Sequence, residues 1–536
     1  MSYDIEAAKL TRFAFTIVKI ELDNSVSPSG DEYHCSGRSP LGQRFYSSII
    51  QGGFDPTPTK MEPGKGLGFL GSVRVSMNDF PFGESGTYFG KLIANNPYYL
   101  DRPLKVYTGF YDGFTFDWAN FKEKLYFIKK IDGPDSKGRV TITADDILTL
   151  LDEDQAQIPT APNAKLNSAL NSSDTGTLNI VDNENFSATG GTLLINDEYI
   201  SYSGLSGSDS VITTARAQYG TTAAAHDADD PVIPCFSYSA ENVVDVIYDL
   251  IDLYSPIDAA TYINSTAWNT ERDNYLIGDT VTGVLNAGEP IKDKINSLCE
   301  QTMVSCWWDD EDQLIKIKAI GPTITPSLQL NTTEHILDKG ESINRDPSKA
   351  VTTLAVYFGR RDHTGQENAA KNYAELYVTP DAESTAGFGK DKIETIYAPD
   401  IPLAGTSTVN KMISRLFSQR RTGKTEYKFR LDAKDATASV GDLVQVTTGL
   451  IQDANGEATT ESYLIIERDQ ISAATFQYTS VATGFLTTGP YRVIAPNTLS
   501  ATTYATATSG ERETYGFIAD NTTTQFSNSD TAHAIL

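Results

Sequence analysis

The 536-residue sequence has few of the residues that disulfide scaffolds, metal sites and membrane spans require. Its four cysteines are too few for a disulfide framework, so reduced thiols are predicted. Cys299 and Cys306 are the only near neighbours, and their spacing is not typical of a zinc knuckle or a ferredoxin loop. No uninterrupted apolar run reaches the roughly 18 residues of a transmembrane helix, so no membrane span is predicted.

Positive charge is also scarce. The chain has 43 Lys and Arg against 70 Asp and Glu, a formal net charge of -27. Proteins that grip phosphate backbones need clustered positive charge, so we expect no specific nucleic-acid binding. The first 22 residues carry two acidic residues before the first apolar run and make a poor secretory signal, which predicts synthesis in a cytoplasm.

Catalytic motifs are missing as well. No His-Glu-x-x-His pair is present, and no Gly-x-Ser-x-Gly elbow follows a predicted strand. His34 and Cys35 are adjacent, but neighbours on a strand point to opposite faces. The sequence therefore predicts no catalytic, cofactor-binding or metal-binding residues, and a protein that is not an enzyme. The five histidines are dispersed: His34, His226, His335, His363 and His533.

Two motifs resemble ligand sites but are predicted to be structural. Residues 66–71 match Gly-x-Gly-x-x-Gly, yet a strand follows them where a dinucleotide site needs a helix. The acidic run 309–312 lacks the glycine and final glutamate of an EF-hand loop. We expect a glycine loop at the first and the solvated turn of a hairpin at the second.

What the sequence does contain is the composition of a globular protein, with 40% apolar and 10% aromatic residues. Its length predicts three to five domains. Alternating runs such as 72–80 indicate strands. The predicted fold class is mainly β with a few helices, an α+β multidomain protein.

Three helices are predicted from apolar residues at helical spacing. The first covers 241–255, with Ser239 as N-cap and Pro256 as the stop. The second starts near Pro290 and buries one face. The third, about 406–421, has one apolar stripe, and basic residues towards its end suit the helix dipole. Those basic residues are Arg415, Arg420 and Arg421.

The segment 193–232 is predicted to be a β-hairpin unit with a structural role in the fold and no catalytic role. Ile195, Tyr199 and Tyr202 lie among polar residues, a mixed pattern that suits a strand with one buried face, and Gly204 and Gly207 break the strand before a β-branched run resumes it. Residues 152–180 are rich in Asp, Asn, Ser, Ala and Pro, which predicts a linker before this unit.

In this order of segments the chain resembles the central tail hub, or tail-tip, proteins of long-tailed bacteriophages. The unit at 193–232 is similar to the small β insert of that family. Five further stretches resemble its strand-to-helix exit, re-entry helix, Trp-bearing hairpin, β-barrel segment and terminal strand pair. They are residues 142–159, 235–251, 290–320, 438–470 and 514–536.

The resemblance implies β-barrel-like hub domains that form a ring and five parts along the chain. It implies an N-terminal β-rich hub domain at 1–155 and an inserted small β domain at 156–234. An α+β hub domain follows at 235–330, then a second β-barrel-like hub domain with one helix at 331–470 and a C-terminal β segment at 471–536.

The family's role implies a structural virion protein at the tail tip. Such a hub continues the tail tube, connects it to tip fibres or receptor-binding proteins, and lets DNA pass on ejection. The implied partners are copies of itself, as a homotrimer, the distal tail or tail-tube protein, the tape-measure protein, and a tail fibre or receptor-binding protein. We expect part of the negative charge to line the lumen, where it repels DNA.

Three alternatives stay open from the sequence. One is a tail-tip protein with cell-wall hydrolase activity. Another is a carbohydrate-binding tail protein, for which Trp307 and Trp308 are candidate stacking residues, although their place in an alternating strand makes at least one a core residue. No cofactor is expected, but some tail-tip proteins hold an iron-sulfur cluster through four thiolates. The matching residues here would be Cys35, Cys235, Cys299 and Cys306.

Overall fold

A computed structural model describes thirteen ranges and one further residue of the chain: 13–22, 32–38, 45–68, 71–111, 114–152, 155–161, 163–207, 209–321, 326–337, 340–421, 423–453, 455–472, 474–482 and 508. Strands predominate and form five sheets, which confirms a mainly β fold with a few helices. In these ranges no sheet closes into a barrel, so the expected barrel-like domains are open sheets. The strand pair predicted at 514–536 lies outside the described residues.

The first sheet has eight strands in the order β3-β2-β1-β7-β8-β9-β6-β4, and a helix packs on it. Its core consists of alternate strand residues such as Val73, Val75 and Met77. A 3₁₀ turn, Ile147–Leu151, leads out of it. The elements are β1 (Ala14–Ile20), β2 (Tyr33–Cys35), β3 (Phe45–Tyr46), β4 (Ile49–Thr57), β5 (Gly66–Leu67, part of another sheet), β6 (Ser72–Asn78), α1 (Tyr88–Asn95), β7 (Pro103–Phe110), β8 (Phe121–Asp132) and β9 (Arg139–Asp145).

The second sheet has six antiparallel strands in the order β10-β13-β12-β11-β14-β15. It contains the predicted hairpin unit, in which Leu194 pairs with Tyr199 and Asn196 adopts the left-handed conformation of the turn (φ 53°). The strands are β10 (Gly176–Asn179), β11 (Gly191–Ile195), β12 (Glu198–Leu205), β13 (Ser210–Gln218), β14 (Val232–Asn242) and β15 (Thr280–Asn286).

Four helices pack beside a small third sheet, whose order is β17-β16-β5. Their apolar faces share one core with the 3₁₀ turn and with the hairpin of β16 and β17. The elements are α2 (Val243–Tyr254), α3 (Ala259–Tyr262), α4 (Ser265–Tyr275), α5 (Ile291–Thr302), β16 (Val304–Asp309) and β17 (Leu314–Ala319).

Two further sheets complete the described part. One has the order β18-β24-β25-β26-β23-β19, and the other, β21-β20-β22, packs one face against a long helix. The elements are β18 (Leu328–Asn331), β19 (Ser342–Asp346), β20 (Thr353–Arg360), β21 (Tyr373–Pro380), α6 (Ala382–Phe388), β22 (Ile393–Ala398), α7 (Thr406–Arg420), β23 (Lys424–Asp432), β24 (Leu443–Gln452), β25 (Ala458–Ser472) and β26 (Thr475–Ala482).

The three predicted helices are present with small changes at their ends. Helix α2 begins after Asn242, whose side chain accepts a hydrogen bond from the Val244 backbone N–H at 3.0 Å. The predicted N-cap, Ser239, is wrong because β14 continues to Asn242 and passes directly into the helix. Pro290 precedes α5 as expected, and the stripe of α7 is buried.

Two expectations about the remaining segments are wrong. The predicted linker 152–180 includes β10, and Ala164, Leu166 and Leu178 enter the core of the second sheet, so small apolar residues among the polar ones anchor it. Helices α1, α3, α4 and α6 were not predicted, since short or polar helices give a weak periodic signal.

The predicted domain boundaries stay predictions, but strands cross several of them. β14 runs across 234/235, β18 across 330/331 and β25 across 470/471. At these three positions the backbone therefore passes within one sheet from one predicted domain to the next.

Candidate functional site: buried charge pairs and a basic cavity

The hairpin unit holds a buried charged cluster around Glu198, whose side chain is 1% exposed. Both Glu198 oxygens accept hydrogen bonds from Arg216, from Nε and Nη2, each at 2.7 Å. His226 Nε2 lies 2.9 Å from Oε2, and the backbone N–H groups of Ala217 and Ala224 donate as well. Burial alone would raise the pKa of Glu198, but these hydrogen bonds outweigh it and lower the pKa to about 2.

Arg216 extends the cluster into the preceding segment. Its guanidinium also donates to the backbone oxygens of Asn171, Asp174 and Ala224 at 2.9, 3.1 and 2.6 Å. A carboxylate with this many donors has no free lone pair for acid-base catalysis, so the cluster serves structure. The sequence analysis missed it. The available signal was a glutamate inside a strand pattern, followed at 18 and 28 residues by an arginine and a histidine.

The acidic run 309–312 forms the predicted hairpin turn, but it is solvated only in part: Asp312 is 59% exposed, Asp310 and Glu311 are half-buried, and Asp309 is buried. Asp309 is buried, accepts from the Glu311 and Asp312 backbone N–H groups at 3.0 Å, and pairs with Lys316 at 2.8 Å. These contacts fix the turn from within.

The next two carboxylates of the turn reach other sheets. Asp310 pairs with Lys124 of β8, and Glu311 pairs with Lys122 of β8 at 2.7 Å and with Arg468 of β25. Burial would raise the pKa values of both carboxyls, but the lysines and Arg468 outweigh it and lower them. We call this the turn junction; it joins the third sheet to the first and to the β18–β26 sheet.

A second junction is built around Asp400, which is fully buried. Its carboxylate accepts from the Tyr238 hydroxyl at 2.8 Å, Lys294 Nζ at 2.7 Å and Gln301 Nε2 at 2.8 Å. Its backbone oxygen accepts from the Thr282 N–H at 2.8 Å. All donors come from 235–330 while Asp400 follows β22, so the junction joins two predicted domains.

A third junction involves Arg415 of α7, which was expected to serve the end of its own helix. It is instead buried at 1% exposure and donates to the oxygens of Tyr275 and Thr302, the last residues of α4 and α5, at 2.7 and 2.8 Å. Asp279 lies 3.7 Å from the guanidinium and 3.1 Å from Lys411 Nζ. A cation at two helix C-termini is favourably placed in the helix dipoles.

The four cysteines are free and do not lie together. Cys299 and Cys306 share the core beside α5, while Cys35 packs with Phe15 and Phe45, and Cys235 lies near Tyr199. Burial raises the pKa of every one of these thiols. In the described ranges no three His, Cys, Asp or Glu side chains are arranged to hold a metal ion.

His34 and Cys35 point into different cores, as predicted for neighbours on a strand. His34 Nδ1 lies 2.7 Å from Ser48 Oγ and its ring stacks on Phe89, and burial lowers its pKa to about 3. The described part of the glycine motif is also structural: Leu67 donates its N–H to Asn296 Oδ1 at 2.8 Å, and β6 follows.

Trp307 and Trp308, the candidate sugar-stacking residues, are both core residues, at 2% and 1% exposure. The Trp307 ring packs over Gly441, where a Cβ would lie 2.6 Å from the ring and the backbone has a φ of +91°. A buried ring cannot stack on a ligand, so these residues give no support to carbohydrate binding.

A cavity of about 810 Å³ lies where the 62–65 loop, the start of β22, the end of α7 and the ends of β23 and β26 meet. We call it the basic cavity. Five positive side chains and two negative ones line it, although the chain as a whole carries -27. Its cations are Lys65, Lys349, Lys392, Arg420 and Lys424, and its acids are Glu62 and Glu394. Sequence analysis could not find it, because the lining residues are hundreds of positions apart.

Among the described helices none has the length and apolar character to cross a membrane. No protein-family model matches the sequence, and no curated protein matches it. Solved structures do match, and they include phage tail proteins, the class that the sequence resemblance leads us to expect.

Three of these structures illustrate the similarity. The tail protein from Neisseria meningitidis MC58 is 10% identical with a TM-score of 0.42, and the match covers 89% of this chain and 98% of that one. Prophage tail protein gp18 from Listeria monocytogenes EGD-e is 10% identical, with coverages of 87% and 94% and a TM-score of 0.39. The 43 kDa tail protein of prophage MuSo2 from Shewanella oneidensis is 10% identical with a TM-score of 0.40, and the match covers 88% of this chain and 99% of that one.

Proposed function

We propose that this chain is a structural, non-enzymatic protein of a phage tail tip. It is the central hub that continues the tail tube, connects it to tip fibres or receptor-binding proteins, and lets DNA pass on ejection. The observation that carries the proposal is that three junctions place charge pairs where predicted domains meet, half-buried at the turn junction and buried at Asp400 and Arg415. Such pairs restrict the relative orientation of the parts that they join, as a hub that connects several neighbours requires.

The resembling segments support the same assignment, because they coincide with these contacts. The re-entry stretch 235–251 spans β14 and α2, and the stretch 290–320 spans α5 and the hairpin that carries the turn junction. Residues of the stretches 235–251, 290–320 and 438–470 thus take part in the junctions.

The proposed partners are two further copies of this chain, a distal tail or tail-tube protein, the tape-measure protein, and a tail fibre or receptor-binding protein. The chain resides in the virion at the tail tip. Part of its negative charge lines the lumen of the ring and keeps DNA from adhering.

Two measurements test the proposal. Electron microscopy of particles from the phage or prophage that carries this gene, with an antibody to this chain, should place the label at the tail tip, and deletion of the gene should give particles without a normal tip. Label on the capsid or absent from particles contradicts the assignment. Mass photometry of the purified chain should show a species near three times 58.4 kDa, and a monomer at all concentrations contradicts the trimer.

Zymography on purified peptidoglycan separates the structural role from hydrolase activity. We expect no cleared band from the purified chain, with a commercial lysozyme as the positive control. A cleared band that persists in a highly purified preparation contradicts the non-enzymatic role.

A further inference from the structure

The lining of the basic cavity has more positive than negative side chains. Arg420 is paired with Glu394 at 2.8 Å, and Lys424 with Glu426 at 2.8 Å. Lys65 and Lys349 are exposed, and neither forms an ion pair with a described residue, although Glu300 and Asp346 interact with them electrostatically. Two exposed lysines outside any such pair, at one cavity of so acidic a chain, attract negative charge locally.

One wall of this cavity is an open strand edge. β22 pairs with β20, and no other described strand lies beside it. The Lys392 oxygen accepts from the Thr352 and Thr353 N–H groups on the β20 side. Because strand residues alternate, the backbone groups of Ile393 and Thr395 point the other way. Within the described ranges, the outward backbone groups of Ile393 and Thr395 thus have no strand partner, and they lie at the same cavity as Lys65 and Lys349.

The remaining wall is apolar. Val351 and Val481 are buried at the cavity, and the Ile393 side chain is 65% exposed beside them. A small anion would use the lysines only, whereas an extended peptide would use all three features: the cations, the strand edge and the apolar wall.

We propose that the basic cavity binds an extended, acidic polypeptide segment of a partner protein, which adds a strand beside β22 and places carboxylates against Lys65 and Lys349. The backbone of the segment pairs with Ile393 and Thr395, and its apolar side chains cover Val351 and Val481. Such a site exists whether or not the chain is a tail hub, because it depends only on the cavity.

The first test is fluorescence anisotropy with the full chain and a fluorescein-labelled peptide of about ten alternating Glu and Val residues. We expect saturable binding that weakens as salt rises. A peptide of alternating Lys and Val should not bind. Equal binding of both peptides, or no binding of the acidic one, overturns the proposal.

Variants locate the binding on the cavity. Lys65→Glu combined with Lys349→Glu should lower the affinity for the acidic peptide at least tenfold. The matched control, Lys137→Glu with Lys371→Glu, makes the same change in net charge at two exposed lysines outside the cavity and should leave the affinity within twofold. An equal loss in both double variants would overturn the proposal, since it would show attraction by net charge alone.

Thr395→Pro separates a strand-adding peptide from a small anion. Proline removes the outward N–H of an edge strand, a position at which it is tolerated. We expect weaker peptide binding with an unchanged melting temperature, and inorganic pyrophosphate should not displace the peptide at equal charge concentration. Should the variant unfold, the pyrophosphate competition decides alone: full displacement at that concentration overturns the peptide site.

Carbodiimide cross-linking in assembled particles identifies the natural occupant. It joins lysines to adjacent carboxylates, and mass spectrometry should find Lys65 or Lys349 joined to an acidic segment of another protein. Cross-links only to carboxylates of this chain, from its own residues or from a second copy, would overturn the assignment to a partner.

Discussion

Glu198 shows how a residue that departs from its local pattern contributes to the fold. A charged group inside a strand costs several kcal/mol to bury alone, and the cost is offset only when every oxygen has donors. Arg216 supplies two donors in the fixed fork that suits a carboxylate, and His226 lies against the same oxygen. The charge therefore specifies how the hairpin and the segment after it fit together.

Replacing Glu198 with Gln should destabilise the second sheet by about 3 kcal/mol, because it leaves the Arg216 charge buried without its partner. Hydrogen-exchange mass spectrometry of peptides from β12 and β13 measures the local opening free energy, at roughly tenfold faster exchange per 1.4 kcal/mol. The matched control is Glu184→Gln, at an exposed residue of the same predicted domain, 156–234. Unchanged exchange in β12 and β13 would contradict the role of the pair.

The same pair predicts sensitivity to acid. Glu198 has a folded pKa of about 2, below its ordinary 4.5, so the unfolded chain takes up the proton first as the pH falls. The stabilisation is complete above pH 4.5 and is lost as the pH falls from 4.5 to about 2. In exchange measurements at pH 6, 4 and 3, corrected for intrinsic rates, the difference in local opening free energy between wild type and Glu198→Gln should become smaller as the pH falls. A difference that stays constant would show that Glu198 is not the titrating group.

At the scale of elements, regular patterns were predictable and their partners were not. The α7 stripe of Val409, Met412 and Ile413 recurs at helical spacing, so the buried face follows from the sequence. The role of Arg415 on the same helix does not, because its acceptors are the ends of two other helices, 140 and 113 residues away. Periodicity describes one helix against a generic core and contains no information about which helix ends it meets.

Replacing Arg415 with Leu should loosen the ends of α4 and α5 together. The change removes the donor to Tyr275 and Thr302 and leaves buried Asp279 with Lys411 as its remaining cation. We expect a loss of about 3 kcal/mol. Peptides covering 265–275 and 291–302 should exchange faster in parallel.

Arg345→Leu, at an exposed position of β19, is the control for Arg415→Leu and should change neither peptide. Faster exchange in one helix alone would contradict a joint role for Arg415, since a single guanidinium donates to both helix ends.

At the scale of the whole molecule, the sequence indicated a mainly β chain but not the contacts between its sheets. The 309–312 turn was recognisable as a hairpin from its neighbours in sequence. The ion pairs that Asp310 and Glu311 form with other sheets were not, because their cations lie on β8 and β25, 186 and 157 residues away for Asp310–Lys124 and Glu311–Arg468. The sequence of an acidic run does not show whether water or cations of other sheets surround its carboxylates. Only the tertiary contacts show which of these surroundings the run has.

The turn junction therefore offers the strictest test of how the sheets are held together. Glu311 pairs with Lys122 and Arg468, and the three residues lie on three sheets or their turns. We expect Arg468→Leu and Glu311→Gln each to destabilise the 304–319 hairpin by about 2 kcal/mol, and the double variant to cost clearly less than their sum, with a coupling of about 1 to 3 kcal/mol. Hydrogen exchange of peptides 304–319 and 458–472 measures the opening free energy in the wild type, the two single variants and the double variant. Glu375→Gln with Arg468→Leu is the control pair, since Glu375 is an exposed residue of β21, on another sheet than Arg468, and should give additive effects. Additivity at Glu311 as well would show that the sheets are joined by apolar packing and that the charges at the turn junction only accompany it.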